Sequence, residues 1–265
     1  MESNHLSLEE IQKRLVFPHL FRLAYFSTLD STNTWTLQKA RQGGASGWVT
    51  IAESQQQGRG RYGRRWEDVP GKAILLSLLV KGLPALFNPL MLNYWVALQI
   101  AEALEFVMQT AGVIQLKWPN DILIQNKKLG GILIEGNFSG QQPRYFVIGI
   151  GLNINQDVED FPHYLQGMAT SLQLVTGFPL KREVVIAQLL NRLAPLVSGQ
   201  LQIDTSGLLQ QYKSRLLYLG KNIEVRLGNQ RINGRFIDLT DEGFLILQTK
   251  KGKQIIHSGE IFHEG

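Results

Sequence analysis

The sequence predicts an α+β protein in two parts, a large unit of interleaved strands and helices followed by a small all-β module. Short apolar runs rich in Val, Ile and Leu, the signature of strands, recur between stretches that carry N-cap and helical signals. From Gly220 onward the texture changes to short alternating runs separated by turn residues. Over 265 residues, 44% hydrophobic against 18% charged, the chain can build a proper core of one large domain or a large plus a small one.

The elements follow in order. Ser7 and Glu10 stand at capping-box spacing in a polar N-terminal segment, which predicts a short helix. A strand covers residues 22–27, and the N-cap cluster Asp30-Ser31-Thr32-Asn33 opens a helix that ends near Gly43-Gly44. Strands at 48–52 and 73–80 flank a loop of glycines and arginines. Asn88-Pro89, with proline in the first turn, starts a long helix that runs to about Ala111. Strands are expected at 114–118, 121–125, 128–137 and 145–155, with a tight turn at Asn126-Lys127, and helices at 181–193 and 206–216. In the C-terminal module the strands are 223–227, 231–238, 243–248 and 254–257, with turns at Gly228-Asn229, at Asp241-Glu242-Gly243 and at Lys251-Gly252. The boundary falls near Tyr218, giving domains 1–217 and 218–265.

Composition narrows the chemistry. The net charge is a mild +5, and a fair part of it sits in the glycine-arginine loop, which argues for a localised anionic ligand rather than a nucleic acid spread over one face. The absence of cysteine excludes disulfides, thiolate metal sites and thiol nucleophiles. His5, His19, His163, His257 and His263 are scattered, so no protein metal site is expected. The N-terminus does not read as a signal peptide and no apolar run reaches membrane-spanning length, so the expectation is a cytoplasmic protein with no membrane partner.

The loop itself, QQQGRGRYGRRW at 55–66, carries Arg59, Arg61, Arg64 and Arg65 among Gly58, Gly60 and Gly63. Bare backbone lets amides approach a ligand closely, and fixed guanidinium groups favour phosphate or carboxylate. The glycines satisfy G-x-G-x-x-G, but no helix opens at the third one, and Leu83 stands near the place where a dinucleotide fold needs an acid. No G-x-x-x-x-G-K-[ST] loop occurs anywhere, so this is an anion clamp of another kind, or else a basic solvated hairpin.

Three other segments combine polar groups with thinned-out strands. Lys117-Trp118-Pro119-Asn120-Asp121 is a polar cluster, or an ordinary Pro-Asn-Asp turn. In Lys128-Leu129-Gly130-Gly131, glycines inside a strand mark either close ligand approach or a β-bulge. Gly149-Ile150-Gly151-Leu152-Asn153 alternates glycine on one face. Together they suggest a sheet surface carved for a flat or slender ligand.

In their order, Ser31-Thr32-Asn33, GRGRYGRRW (58–66), KWPNDI (117–122), KLGGILIE (128–135), GIGLNIN (149–155) and the terminal Ser258-Gly259-Glu260-Ile261 resemble the motifs of biotin protein ligases, and the likeness covers nearly the whole chain from about Arg22. The resemblance implies a mixed β-sheet catalytic domain flanked by helices, of the class II synthetase type, with a small C-terminal SH3-like β-barrel. It implies the activity too: biotin and ATP, with Mg2+, give biotinyl-5′-AMP and pyrophosphate, and a lysine of a biotin carboxyl carrier domain of acetyl-CoA carboxylase or a related carboxylase takes the biotin. The first step brings anions together. Like charges at about 4 Å repel by roughly 4 kcal/mol at an effective dielectric near 20, so cations must offset this.

By the same resemblance, Arg59 and Arg61 meet the biotin carboxylate and the adenylate phosphate, Gly58 and Gly60 supply close backbone, and Lys128 reaches the reacting oxygens. Ser31, Thr32 and Gln55 hold the ureido and sulfur end of biotin, with Asn33 in the same motif. Gly131, Leu133, Gly149 and Gly151 form an apolar slot, Asn153 meets the nucleotide, and Trp66 covers the nucleotide side or closes the loop. Asp121 is left with four readings: orienting a cation, binding magnesium, deprotonating the incoming lysine, or holding the 117–120 turn. No side chain need form a covalent intermediate. A loop that admits ligand and then shields a reactive anhydride is expected to open when empty and to order on binding.

Tyr62 departs from the pattern, standing where the family commonly has a further arginine, and Arg65 is expected to compensate. About 21 residues precede the first strand, too few for the helix-turn-helix of repressor members, so neither repression nor DNA as a partner is expected. A lipoate or octanoate ligase is the nearest alternative, and a non-enzymatic sensor or nucleic-acid-binding module the more distant one. A sheet edge could pair a homodimer or dock the carrier, and the sequence does not choose.

Overall fold

The computed structural model describes residues 5–83 and 88–263, so the first four residues of the N-terminal segment lie outside the described part. The helices are α1 (Leu8–Gln12), α2 (Thr32–Arg41), α3 (Pro89–Met108), α4 (Leu172–Thr176), α5 (Arg182–Ser198) and α6 (Thr205–Ser214). The centre is a seven-stranded sheet of β1 (Arg22–Leu29), β2 (Trp48–Gln55), β3 (Ala73–Val80), β4 (Ile114–Lys117), β5 (Asp121–Ile124), β6 (Lys127–Ser139) and β7 (Gln142–Asn153). Its order is β1-β2-β3-β7-β6-β5-β4. Within it β1 and β2 run parallel, joined through α2 as parallel neighbours require, and the other neighbouring pairs are antiparallel.

Both faces of the sheet are covered, which explains why β3 is an unbroken buried run, AILLSLLV. Alternate residues such as Ile74, Leu76, Leu78, Ile148 and Ile150 join α3 and α5 in the main core. On the opposite face Leu79, Tyr145 and Val147 pack under Leu37 and Ala40 of α2. The strand period of two thus sorts one sequence into two layers. Helix α3 has the length and mean hydropathy of a membrane span, but 67% of its most apolar window is buried inside the molecule, as in a core helix.

The N-terminal segment is tied down by charge. Glu53 accepts from Leu6 N at 2.8 Å, from the Tyr25 hydroxyl at 2.9 Å and from Arg182 at 2.7 Å. Burial alone would push the Glu53 carboxyl up, but Arg182 and these donors outweigh it and hold it below its ordinary value.

After α6 come β8 (Asn222–Leu227), β9 (Gln230–Leu239), β10 (Leu245–Thr249), β11 (Gly252–Ile256) and β12 (Glu260–Phe262), antiparallel in the order β11-β10-β9-β8-β12. This sheet leans on the first unit: Tyr94 Oη and Trp118 Nε1 both donate to the Gly243 carbonyl, at 2.6 and 3.3 Å.

Some boundaries differ from the sequence reading. The β5–β6 turn is centred on Gln125 and Asn126, at φ 52° and 60°, one residue earlier than expected, as a two-residue primed turn requires. Helix α5 continues past Leu193, through Pro195, to Ser198. Strand β12 has no sequence signal, because three residues carry no alternation to read.

Candidate active site

The register of the sheet places the thinned-out segments side by side. Ala52, Leu75, Gly151, Gly131, Asp121 and Lys117 form one row across five neighbouring pairs, and Thr50, Ser77, Gly149 and Leu133 form the next. Missing side chains therefore mark a trough along β6 and β7, filled over Gly149 by Asn33 of α2 and over Gly151 by the Trp66 ring of the glycine-arginine loop, with looser contact at Gly131.

At the α2 side, Ser31 is the N-cap and accepts from Thr34 N at 3.5 Å. Thr32 donates through N and Oγ1 to Gln55 Oε1, at 2.8 and 3.1 Å. Ser77 Oγ stands 2.8 Å from Thr32 Oγ1 and 2.6 Å from Asn33 Oδ1. Asn33 Nδ2 donates to the Leu133 carbonyl at 3.1 Å and to Glu135 Oε2 at 2.8 Å. Ser31, Thr32, Asn33, Gln55 and Ser77 are all buried, so these contacts satisfy polar groups that have left water. Gly149 lies directly beneath Asn33: a Cβ there would stand 2.2 Å from Asn33 Oδ1. Gln55 is steadied in turn by its backbone N–H, 3.3 Å from the Asp68 carboxylate, whose pKa burial pushes up.

The loop is folded as a small hairpin. Gly60 N donates to Arg64 O at 2.7 Å, Trp66 N donates to Gly58 O at 2.9 Å, and Tyr62 and Gly63 make the turn at φ 57° and 73°. A Cβ on Gly58 would sit 2.6 Å from the Trp66 carbonyl, so the hairpin needs glycine there. Each arginine has its own partner. Arg59 Nη2 meets the two Glu135 carboxylate oxygens at 2.9 and 3.2 Å. Arg61 lies over the Tyr62 ring, 4.9 Å from its centroid, and reaches Asn120 Oδ1 at 3.4 Å. Arg64 pairs with Glu260 of β12, and Arg65 with Glu67 at 3.5 Å. Tyr62 thus works with Arg61, while Arg65 is spent on Glu67.

Trp66 descends from the hairpin onto the glycine row, where a Cβ on Gly151 would come within 2.8 Å of its ring. Its Nε1 is buried and has no hydrogen-bond partner among the described residues. Lys128 Nζ lies 6.0 Å from the centroid of that ring and 2.7 Å from Asp121 Oδ1, and Lys117 Nζ is 3.3 Å from Asp121 Oδ2. Burial works to raise the Asp121 pKa, but Lys128 and then Lys117 hold it below its ordinary value of 3.8. At neutral pH it is a carboxylate locked between two ammonium groups, and a poor base for a lysine of ordinary pKa.

Of the two readings of Gly130-Gly131, the β-bulge holds, and it belongs to Gly130. The pairing shifts between Ile122 and Leu123, leaving Leu129 as the extra residue of a bulge, and a Cβ on Gly130 would lie 2.4 Å from Leu152 Cδ2. Gly131 instead faces the trough, with Trp66 and Asp121 both 3.7 Å from where its Cβ would be. Asn153 ends the glycine row: it donates to Thr170 O and accepts from Gln156 Nε2, both at 3.1 Å. The backbone of Lys128 is strapped by residues 168–170 through Lys128 N to Met168 O at 2.8 Å and Thr170 N to Lys128 O at 2.9 Å. Among the described residues no three His, Asp or Glu side chains converge as a metal site.

Ser77, Asn120, Glu135 and Glu260 escaped the sequence reading as site residues. Ser77 had a signal, being the one polar residue in an eight-residue apolar strand.

The family model described as Biotin/lipoate A/B protein ligase family matches residues 25–153, and that described as Biotin protein ligase C terminal domain matches 218–264. The chain is 32% identical over 242 residues to a biotin--[acetyl-CoA-carboxylase] ligase of Paracoccus denitrificans, covering 89% of this chain and 98% of that one. It is also 32% identical over 240 residues to the bifunctional ligase/repressor BirA of Bacillus subtilis, covering 90% of this chain and 73% of that one. The structure of a biotin protein ligase from Aquifex aeolicus in complex with biotin and ATP superposes with a TM-score of 0.76 at 29% identity, over 91% of this chain and 97% of that one.

Proposed function

This chain belongs to the biotin protein ligase family, and we propose from that premise how its residues divide the work. The activity is ATP-dependent biotin protein ligation: biotin and ATP give biotinyl-5′-AMP and pyrophosphate, and a lysine of a biotin carboxyl carrier domain then displaces AMP. The observation that carries the assignment of parts is the trough of Gly131, Leu133, Gly149 and Gly151, with buried polar groups, Glu135 and Arg59 at one end and Lys128 and Arg61 at the other.

In this reading biotin lies along the trough. Ser31, Thr32 and Gln55 take its ureido and sulfur end, since Thr32 and Gln55 orient one another and Ser31 is fixed as the cap of α2. Asn33 lends rigidity: it rests on Gly149 and carries the wall that Leu133 belongs to. Arg61 and Lys128 supply positive charge where the carboxylate attacks the α-phosphate, and Arg59 joins them by leaving Glu135 when the substrates bind. Gly58 and Gly60 keep side chains out of the path, and Trp66 covers the adenylate above Gly131 and Gly151. Asn153 borders the nucleotide with its amide fixed by Thr170 and Gln156. Asp121 acts by holding Lys128 and Lys117 in place rather than as a proton acceptor. Mg2+ would be held by the phosphates of ATP and would screen their charge, since Asp121, between two lysines, offers it no dedicated site.

The working unit is residues 1–217, with 218–265 as a second module that meets the loop through Glu260. The partner is the carrier domain of a carboxylase, and the compartment is the cytoplasm. Incubation with ATP, Mg2+, biotin and an isolated carrier domain tests this: the carrier gains one biotin mass on a single lysine, and replacing that lysine with arginine abolishes the gain. Label spread over many lysines, or none, would contradict carrier-specific transfer.

A further inference from the structure

We propose that Tyr62 is a positioning residue for Arg61: it holds the guanidinium that serves the reacting oxygens without neutralising it. This role rests on the assignment of Arg61 to those oxygens. The Arg61 guanidinium lies over the Tyr62 ring, 4.9 Å from its centroid, and Arg61 Nη2 donates to Tyr62 Oη at 3.1 Å. From the other side Arg61 Nη1 reaches Asn120 Oδ1 at 3.4 Å.

Asn120 is itself fixed. Its Nδ2 donates to the Ile132 carbonyl at 2.8 Å, and its own carbonyl accepts from Ile132 N at 3.0 Å, which clamps it to β6 beside Gly131. The next residue, Asp121, pairs with Lys128 at 2.7 Å. Arg61 is therefore gripped at the Lys128 end of the trough, between a clamped amide and a tyrosine.

The partners of the loop's arginines set Arg61 apart. Arg59, Arg64 and Arg65 each meet a carboxylate, of Glu135, Glu260 and Glu67. The side-chain contacts of Arg61 among the described residues are with neutral groups, Asn120 and Tyr62. A carboxylate would cancel much of the positive charge before substrate arrives. An aromatic face and a hydroxyl orient the same cation and leave its charge, and its remaining donors, for an incoming anion.

Neither backbone nor burial favours tyrosine at 62. Its φ of 57° lies in the left-handed region, which glycine and asparagine adopt more readily, and the residue is 57% exposed. Consecutive side chains of an extended segment point to opposite faces, whereas this turn brings those of Arg61 and Tyr62 together. The strained conformation is what delivers the ring to the guanidinium. A further arginine at 62 would add charge but repel Arg61; tyrosine orients it instead.

Biotin-dependent ATP–pyrophosphate exchange at saturating substrates is compared in wild type, Tyr62→Asn, Tyr62→Trp, Arg61→Met and the Arg61→Met/Tyr62→Asn double variant, with thermal melts alongside. Asparagine suits the left-handed turn but offers no ring, so Tyr62→Asn should slow exchange about two- to fivefold, the scale of an exposed cation–π contact, with no fall in Tm. Tyr62→Trp, which restores an aromatic face, should recover most of that loss. In the Arg61→Met background Tyr62→Asn should do nothing further. A Tyr62→Asn enzyme as fast as wild type, or a loss of the same size with and without Arg61, would make Tyr62 a turn residue only and overturn the proposal. An Arg61→Met enzyme that exchanges as fast as wild type would refute the assignment of Arg61 itself, and the proposal would fall with it.

Discussion

Gly149 and Gly131 face the same trough one row apart, and an added methyl group separates them. On Gly149 a Cβ would stand 2.2 Å from Asn33 Oδ1 and 2.8 Å from its Cγ, so Asn33 must leave. With it go the bonds to Leu133 O, Glu135 and Ser77, worth about 0.5–1.5 kcal/mol each for neutral partners and about 1.5–3 to a carboxylate. Not all are lost outright, since the helix start can shift, and overpacked sites typically cost about 1–3 kcal/mol. For Gly149→Ala we expect about 2 kcal/mol, read as a fall in Tm of about 4–8 °C for a domain of this size. On Gly131 the nearest atoms lie at 3.7 Å, an ordinary contact, so Gly131→Ala should leave Tm within about 1 °C. Both variants should bind biotin more weakly, Gly149→Ala because its polar wall has moved and Gly131→Ala because a methyl group now occupies the trough. Scanning calorimetry and biotin titration on the pair decide it. A Gly149→Ala protein as stable as wild type would show that Asn33 does not rest on Gly149, and the reasoning would fail.

Lys128→Met should lower biotin-dependent ATP–pyrophosphate exchange about 10²- to 10³-fold while the protein stays folded by circular dichroism, since one fixed cation at the reacting oxygens is removed. Asp121 is depressed below 3.8 by Lys128 and Lys117, so the stability it contributes is complete above 3.8 and lost as pH falls through its lower folded value. The gap in denaturation midpoint between wild type and Asp121→Asn should therefore be flat around neutrality and close only in acid below 3.8, and a gap that closes near neutral pH would contradict the depressed value. Glu260→Gln cuts the Arg64 tether, so limited proteolysis within 58–66 should quicken, and biotin with ATP should restore protection. Equal cleavage with and without ligand would remove the expectation that the loop closes over the intermediate.

Much of this was readable in the chain because its signals are local. Glycines in strands, an N-cap cluster and an arginine-rich turn each declare a backbone need or a charge within a few residues. What stayed hidden lies in contacts across long separations. Asn33 meets Leu133 and Glu135 about a hundred residues on, and only the β6–β7 register brings Gly149 beneath it. Glu135 reads as the polar end of an apolar strand until Arg59 is seen to reach it. Ser77 is masked by an apolar strand, whose other residues argue only for burial. The four arginines looked like one cationic patch, yet they part to Glu135, Asn120, Glu260 and Glu67, and no spacing rule divides them so.

The central claim is adenylation of biotin, and ATP–pyrophosphate exchange with Mg2+ measures it directly, with biotin, lipoate, octanoate and no added acid compared side by side. Exchange that appears with biotin alone is the predicted result. Exchange with lipoate or octanoate in its place, or with none of the acids, would contradict it.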